Sequence, residues 1–307
     1  MRRAVLLTSL ALFCIAAPAA QARPKPTVGI GEQNPAIFSQ QRWIDLDKPD
    51  IRWVMPWDQM RTKLGRAQAD LYLDAARFRK ARVLVSFGHS VRRHHELKMP
   101  KKKQFLKYFK AFRKRYPWIK TFQTWNEANN GFQPTFRKPK AAAQVFNWIN
   151  RACRRCTVTA PSVLDDGMKT IRWIQSFRKA TKYRVKIWAL HNHIDANRNL
   201  LGRKSTTALF LRYTRGQVWF TETGGIWNRW IGRRKIKRYN HKTAVRAIRN
   251  IFKLQRLNPR RIKRIYVYNW FGTTAKRPRW DSGLVNANGN PRKTFKTLKA
   301  QIRKYAR

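Results

Sequence analysis

Eight short runs of apolar and β-branched residues recur along this chain. They are TVGIG (27–31), DIRWVMPW (50–57), RVLVSFGHS (82–90), IKTFQT (119–124), TVTAPSVL (157–164), YRVKIWALHNHID (183–195), QVWFTETGG (217–225) and RIKRIYVYNWFG (261–272). Their composition predicts strands. The nearly continuous apolar character of several runs predicts strands covered on both faces. Between them lie longer stretches whose apolar positions return every three or four residues, the period of a helix with one buried face. The clearest is 101–116, where Phe105, Phe109, Phe112 and Tyr116 share a face and the lysines and arginines form its wet side. Helices are likewise predicted over 34–47, 65–81, 139–155, 168–180, 206–214 and 241–257. A final helix carries Phe295, Leu298, Ile302 and Tyr305.

Strand then helix, eight times without interruption, predicts a parallel sheet with helices outside it. Eight units in roughly 285 residues fit a closed α/β barrel, the (β/α)8 or TIM barrel, better than an open sheet. No linker or low-complexity segment divides the chain, so residues 23–307 are read as a single domain. Residues 1–22 differ: Arg2 and Arg3, an apolar run, then Ala20-Gln21-Ala22. This is the form of a cleavable export signal, and the run is too short to span a membrane. Phe13 before Cys14 does not suit a lipid anchor. The expected product is secreted, unanchored and monomeric.

Export changes how the cysteines are read. Loss of the signal removes Cys14 and leaves Cys153 and Cys156, expected to form a local disulfide in an oxidising compartment. Charge raises a second question. The chain carries 69 Lys and Arg against 14 Asp and Glu, for a formal charge of +55 that cleavage lowers by two. Such a charge attracts polyanions, among them nucleic acid, anionic wall polymers and acidic polysaccharides. The basic residues run through the whole chain, which favours a merely solvated surface. No motif interleaving aromatic and basic residues points to specific nucleic-acid binding.

Acidic residues are scarce, so their positions are informative. Glu127 follows strand four in TWNEAN, and Glu222 ends strand seven in WFTETGG. In a parallel barrel both stand on the rim where chemistry is done. Two opposed carboxylates can cleave a glycosidic bond, one donating a proton to the leaving oxygen and the other attacking the anomeric carbon or activating water. On the same rim fall His89 after strand three, Asn126 beside Glu127, His191 and His193 at the end of strand six, and Asn269 and Trp270 at the end of strand eight.

TWNEAN and FTETGG, three strands apart, resemble the Asn-Glu and Thr-Glu motifs of the clan A retaining glycoside hydrolases, such as the family 5 and family 39 enzymes. The resemblance covers the whole mature chain as architecture. It implies Glu127 as acid/base, Glu222 as nucleophile, Asn126 on the hydroxyl beside the anomeric carbon and Trp270 as floor of the cleaved sugar. It implies a carbohydrate substrate joined by an equatorial bond such as a β-glycoside, and no cofactor. The closing WDSGLVNANGNPRKTF also resembles the last loop and helix of several such families. Two departures concern the exact family and sugar. HNH places His193 where related enzymes often have tyrosine, and strand two ends in Pro56, Trp57 and Asp58 where many have arginine. Arg52 lies near the start of that strand, too low to be assigned to the site.

His89, His191 and His193 are expected to hydrogen-bond sugar hydroxyls and Glu222. With Glu222 they also offer a metal-ligand set, but no metal is assigned. His94 and His95 are expected to be solvated. Trp57, Trp125, Trp227, Trp230 and Trp280 follow strand ends and are candidate sugar platforms; Trp43, Trp148 and Trp173 are expected in the core. Two other classes stay open: a barrel that binds an acidic polysaccharide without cleaving it, and a metal-dependent barrel hydrolase.

Overall fold

In the computed structural model of the chain, residues 24–46 and 50–306 are described; the export-signal segment lies outside them. The strands are β1 (Thr27–Gly31), β2 (Asp50–Pro56), β3 (Val83–Gly88), β4 (Thr121–Gln123), β5 (Thr157–Thr159), β6 (Ser162–Leu164), β7 (Ile187–His191), β8 (Gln217–Thr223), a small hairpin of β9 (Trp230–Ile231) and β10 (Arg234–Lys235), and β11 (Ile262–Tyr268). The main sheet is parallel and runs β5-β4-β3-β2-β1-β11-β8-β7-β6. Its two outer members are halves of one strand broken at Ala160-Pro161, since proline cannot donate to the ladder. Ala160 N–H donates to Ile187 O, and Ser162 N–H to Trp125 O. The broken strand thus bonds to neighbours on both sides and closes the sheet into the expected eight-membered barrel.

The helices are α1 (Gln41–Ile44), α2 (Lys63–Phe78), α3 (Lys102–Arg115), α4 (Pro139–Ala152), α5 (Gly167–Ala180), α6 (His193–Arg198), α7 (Thr206–Tyr213), α8 (His241–Leu257) and α9 (Lys293–Tyr305). They follow the predicted faces: Phe105, Phe109 and Phe112 are all buried. The stretch 34–47 was expected to be one helix. It forms a 3-10 turn over Pro35–Ser39 and the single turn α1. Among the described residues no helix is long and apolar enough to cross a membrane. Cys153 and Cys156 are bonded just beyond α4.

Alternation along β2 shows what the barrel encloses. Trp53 points outward and stacks on Tyr72 of α2 at 4.8 Å between centroids. The other phase, Asp50, Arg52, Val54 and Pro56, faces inward. Asp50 closes the lower end, accepting from Arg82 at 2.7 Å and Arg264 at 2.6 Å. Leu84, Trp219 and Tyr266, from strands spaced around the circle, meet as a separate apolar cluster. Residues that far apart in the sheet can touch only inside the barrel. Val54 and Pro56 line the cleft at the upper end.

Candidate active site

The cleft at the C-terminal ends of the strands has a volume of about 390 Å³ and is lined in part by His89, Asn126, Glu127, Glu222 and Tyr268. Both glutamates reach it through local departures from regular strand. In β8, β7 pairs Leu190 with Phe220 and then His191 with Glu222, so Thr221 is an extra residue. The other neighbour shows the same insertion, with Ile265 opposite Phe220 and Val267 opposite Thr223. Trp219 points inward, and strict alternation would turn Glu222 outward. The bulge reverses that phase, as bulges beside active sites do. Glu127 sits after β4 with φ of +45°, a conformation uncommon for a side-chain-bearing residue. It is held by Glu127 N–H donating to Ser162 Oγ at 2.9 Å and Asn126 N–H donating to Phe87 O at 2.7 Å. This bend lets two neighbouring residues serve one pocket.

Arg52 organises the centre. It is fully buried, and its Nη1 donates to Glu222 Oε2 at 2.8 Å. Its Nη2 donates to Asn126 Oδ1 at 2.5 Å. One guanidinium therefore ties the residue beside one carboxylate to the other carboxylate, with the fork geometry at which arginine excels. His191 Nδ1 lies 3.2 Å from Glu127 Oε1, and His193 Nε2 lies 3.4 Å from Glu222 Oε1. An oxygen of Glu127, an oxygen of Glu222 and a ring nitrogen of His191 all lie within 4.8 Å of one another.

These contacts assign charges. Burial alone would raise the pKa of Glu222, but His191, the hydrogen bond from His193 and the Arg52 charge outweigh it and hold the carboxyl well below its usual range. Burial lowers the pKa of His191, against the pull of Glu222 and Glu127. Tyr268 is pushed up by burial and by the charges of Glu222 and Glu32, which keeps its phenol protonated. The site therefore presents an ionised carboxylate at Glu222 and, a few ångströms off, Glu127 bonded to Asn130 Nδ2 at 2.8 Å.

Glu127, His191 and Glu222 are also a possible ligand set for a metal ion. His89 and His193, offered with it on sequence, are not part of it among the described residues. An ion there would share Glu222 with the permanent charge of Arg52, a poor setting for a second cation.

The sequence-derived residues separate as follows. Asn126, Glu127, His191, His193 and Glu222 meet in one network, and His89 stands on the rim. His193 does so from the start of α6, because β7 ends at His191. Trp270 needs correction. Its ring is fully buried and packs edge-on against Phe295 at 5.6 Å, away from the cleft. The strand it was assigned to stops at Tyr268, and Glu32 Oε2 then accepts from the N–H groups of Trp270 and Phe271. Tyr268, the inward residue two positions earlier, lines the cleft instead. Trp125 is also fully buried and donates to Gln133 at 3.0 Å. Trp280 is partly exposed, its ring 5.0 Å from that of His193. Arg52, set aside on sequence as too low on its strand, reaches Glu222 and Asn126, and Tyr268 is a site residue that the sequence reading does not contain; the inward phase of their strands is the signal that points to both.

No protein-family model matches the chain, and no curated protein matches it in sequence. Its fold is similar to that of solved glycoside hydrolases. A GH5_18 protein from Streptomyces cattleya, in complex with GlcNAc, superposes with a TM-score of 0.67 at 13% identity, covering 92% of this chain and 81% of that one. Xylanase 10B from Thermotoga maritima gives 0.63 at 14% identity over 90% and 94%. A psychrophilic family 10 endo-β-1,4-xylanase gives 0.63 at 13% over 90% and 96%. At such identities the likeness establishes the barrel fold; the chemistry rests on the cleft.

Proposed function

We propose that the chain is a secreted glycoside hydrolase that cleaves O-glycosidic bonds by a retaining double displacement. The observation that carries this reading is the close approach of the two carboxyl groups, an oxygen of each lying within 4.8 Å of the other. Retaining enzymes hold their carboxyl groups about 5–5.5 Å apart, whereas inverting enzymes leave roughly 6.5–9.5 Å for a water. Glu222, kept ionised by His191, His193 and Arg52, attacks the anomeric carbon. Glu127 protonates the leaving oxygen, and in the second step takes a proton from the water that releases the sugar. Asn126, oriented by Arg52, is placed to bind a hydroxyl of the ring being attacked.

The decisive experiment uses one activated aryl glycoside and azide. Glu222→Gly leaves a hole beside the anomeric carbon, and azide entering it yields a glycosyl azide of inverted configuration. Glu127→Ala leaves Glu222 to form the covalent intermediate, which azide then opens to the retained configuration. The same anomer from both variants, or turnover unaffected by either change, would overturn the assignment.

A further inference from the structure

A second cavity, of about 250 Å³, abuts the cleft. The two share a boundary at the ends of β2 and β3: Pro56 and His89 line the cleft, and the next residues, Trp57 and Ser90, line the cavity. Two aromatic rings line it, the largely buried Trp57 and the half-buried Tyr108, tilted at 52° with centroids 5.9 Å apart. Its walls carry Arg61, Arg92, Lys98 and Lys101. None of these four cations joins an ion pair among the described residues. The one acid in the lining, Asp58, is buried and already accepts from Ser90 Oγ at 2.6 Å and Val91 N–H at 2.9 Å. Four exposed cations thus surround one hollow whose single lining carboxylate, Asp58, is buried and engaged by Ser90 and Val91.

We propose that this cavity is a subsite for an anionic sugar, one bearing a carboxylate or a sulfate, and that the substrate is an acidic polysaccharide lying across the barrel mouth. The proposal rests on reading the adjoining cleft as a glycosidase site. Aromatic rings suit the face of a sugar ring, and the cations suit its charged substituent. His95 also lines the cavity; desolvation first, then the charges of Arg92 and Lys98, lower its pKa, against the pull of Glu96. Loops after other strands carry similar pairs. Arg229 stacks on Trp280 at 5.2 Å, Arg277 on Trp230 at 5.6 Å and Arg279 on the exposed Phe132 at 4.9 Å. A polymer crossing the mouth would meet further aromatic rings backed by cations.

The competing explanation is the bulk charge of the chain, and geometry distinguishes the two. Contacts in a hollow persist at about 0.15 M salt, where long-range attraction is screened beyond roughly 8 Å. The test uses the Glu222→Gln protein, so that binding is read without turnover. Three polymers with one β-1,4-glucan backbone serve as probes: carboxymethyl-cellulose, cellulose sulfate and uncharged hydroxyethyl-cellulose. Affinity electrophoresis at that salt should show at least one charged polymer bound roughly tenfold or more tightly than the neutral one. Adding Arg61→Gln with Arg92→Gln should remove most of that advantage. Arg178→Gln with Lys179→Gln is the charge-matched control, at the exposed far end of α5 on the opposite face of the barrel. It should leave binding unchanged, and thermal unfolding should show all variants folded. Preference for the carboxylated or for the sulfated polymer identifies the substituent. Equal losses from both double variants, or equal binding of charged and neutral polymers, would overturn the subsite. Failure of the wild type on every glycoside tried, with the selectivity intact, would instead sink the hydrolase reading alone.

Discussion

Two groups of buried carboxylates stand at this end of the barrel in opposite electrostatic states. Glu222 shares its burial with a guanidinium and two imidazoles, and its pKa falls. Asp165, just after β6, and Asp195, in α6, share theirs with each other and with neutral donors. Asp165 Oδ2 accepts from the Asp195 N–H at 2.7 Å, while Asp195 accepts from the N–H groups of Thr206 and Thr207 and from the Thr207 hydroxyl. Burial and then the neighbouring Asp195 push Asp165 well up; burial pushes Asp195 up against its threonine donors. At Asp165 and Asp195 the hydrogen bonds do not offset the loss of water, whereas His191, the His193 hydrogen bond and the Arg52 charge together do so at Glu222. The first group is equipped to react as an anion. The second holds the β6 and β7 loops together, and it does so best when protonated.

The comparison can be broken most sharply by removing each charge in turn. Glu222→Gln should lower kcat by a factor on the order of 10⁴ or more, as loss of a nucleophile does, with the fold retained. Comparable turnover in this variant would remove Glu222 from the chemistry. Arg52→Met comes next. It leaves Glu222 buried without its permanent counter-charge and should cost about 3–5 kcal/mol of stability, measured by denaturant unfolding. The sign for activity follows from the depressed pKa. In the wild type, the contribution of ionised Glu222 is present above the ordinary carboxylate range and is lost only as pH falls through the lowered value. In Arg52→Met that loss should move to higher pH, bringing the acid limb of kcat/KM with it. An acid limb that stays in place would mean that the histidines alone hold Glu222 ionised.

His193→Ala sharpens that division. It removes a 3.4 Å contact to Glu222 but leaves Arg52. The acid limb should shift in the same direction, because the His193 hydrogen bond also lowers Glu222, with activity down by roughly tenfold. An acid limb left in place would mean that His191 and Arg52 suffice. The smallest effect belongs to the second group. A carboxyl whose folded pKa is raised favours the folded state most below the ordinary carboxylate range, and that advantage is lost as pH rises through the raised value. Asp165→Asn keeps an acceptor for the Asp195 N–H and removes the repulsion. The decline in Tm as pH rises above the ordinary carboxylate range should become shallower, with little change in activity at constant temperature. An unchanged slope would mean that Asp165 is not the group responsible.

Much of this was legible along the chain. The eight apolar runs and the helical periodicities between them are local patterns, and they placed Glu127 and Glu222 at the ends of the fourth and seventh barrel strands without any long-range information. The disulfide followed from spacing and compartment. The misreadings lie where a residue's direction depends on its neighbours across the sheet. Trp270 was assigned to the cleft by extending its strand too far; Glu32, more than two hundred residues earlier, draws the backbone away.

The barrel and the two carboxylates on its rim follow from local pattern, because alternating burial is written in the spacing of apolar side chains. The centre of the site comes from long-range packing. Arg52 lies low on its strand, yet the inward phase of β2 points it into the barrel, where it reaches both Asn126 and Glu222. The bulge at Thr221 exists only relative to the strands on either side, and it is what turns Glu222 inward. Strand register, bulges and the convergence of side chains inside a closed barrel come from pairing between distant segments, and no local window of sequence contains them.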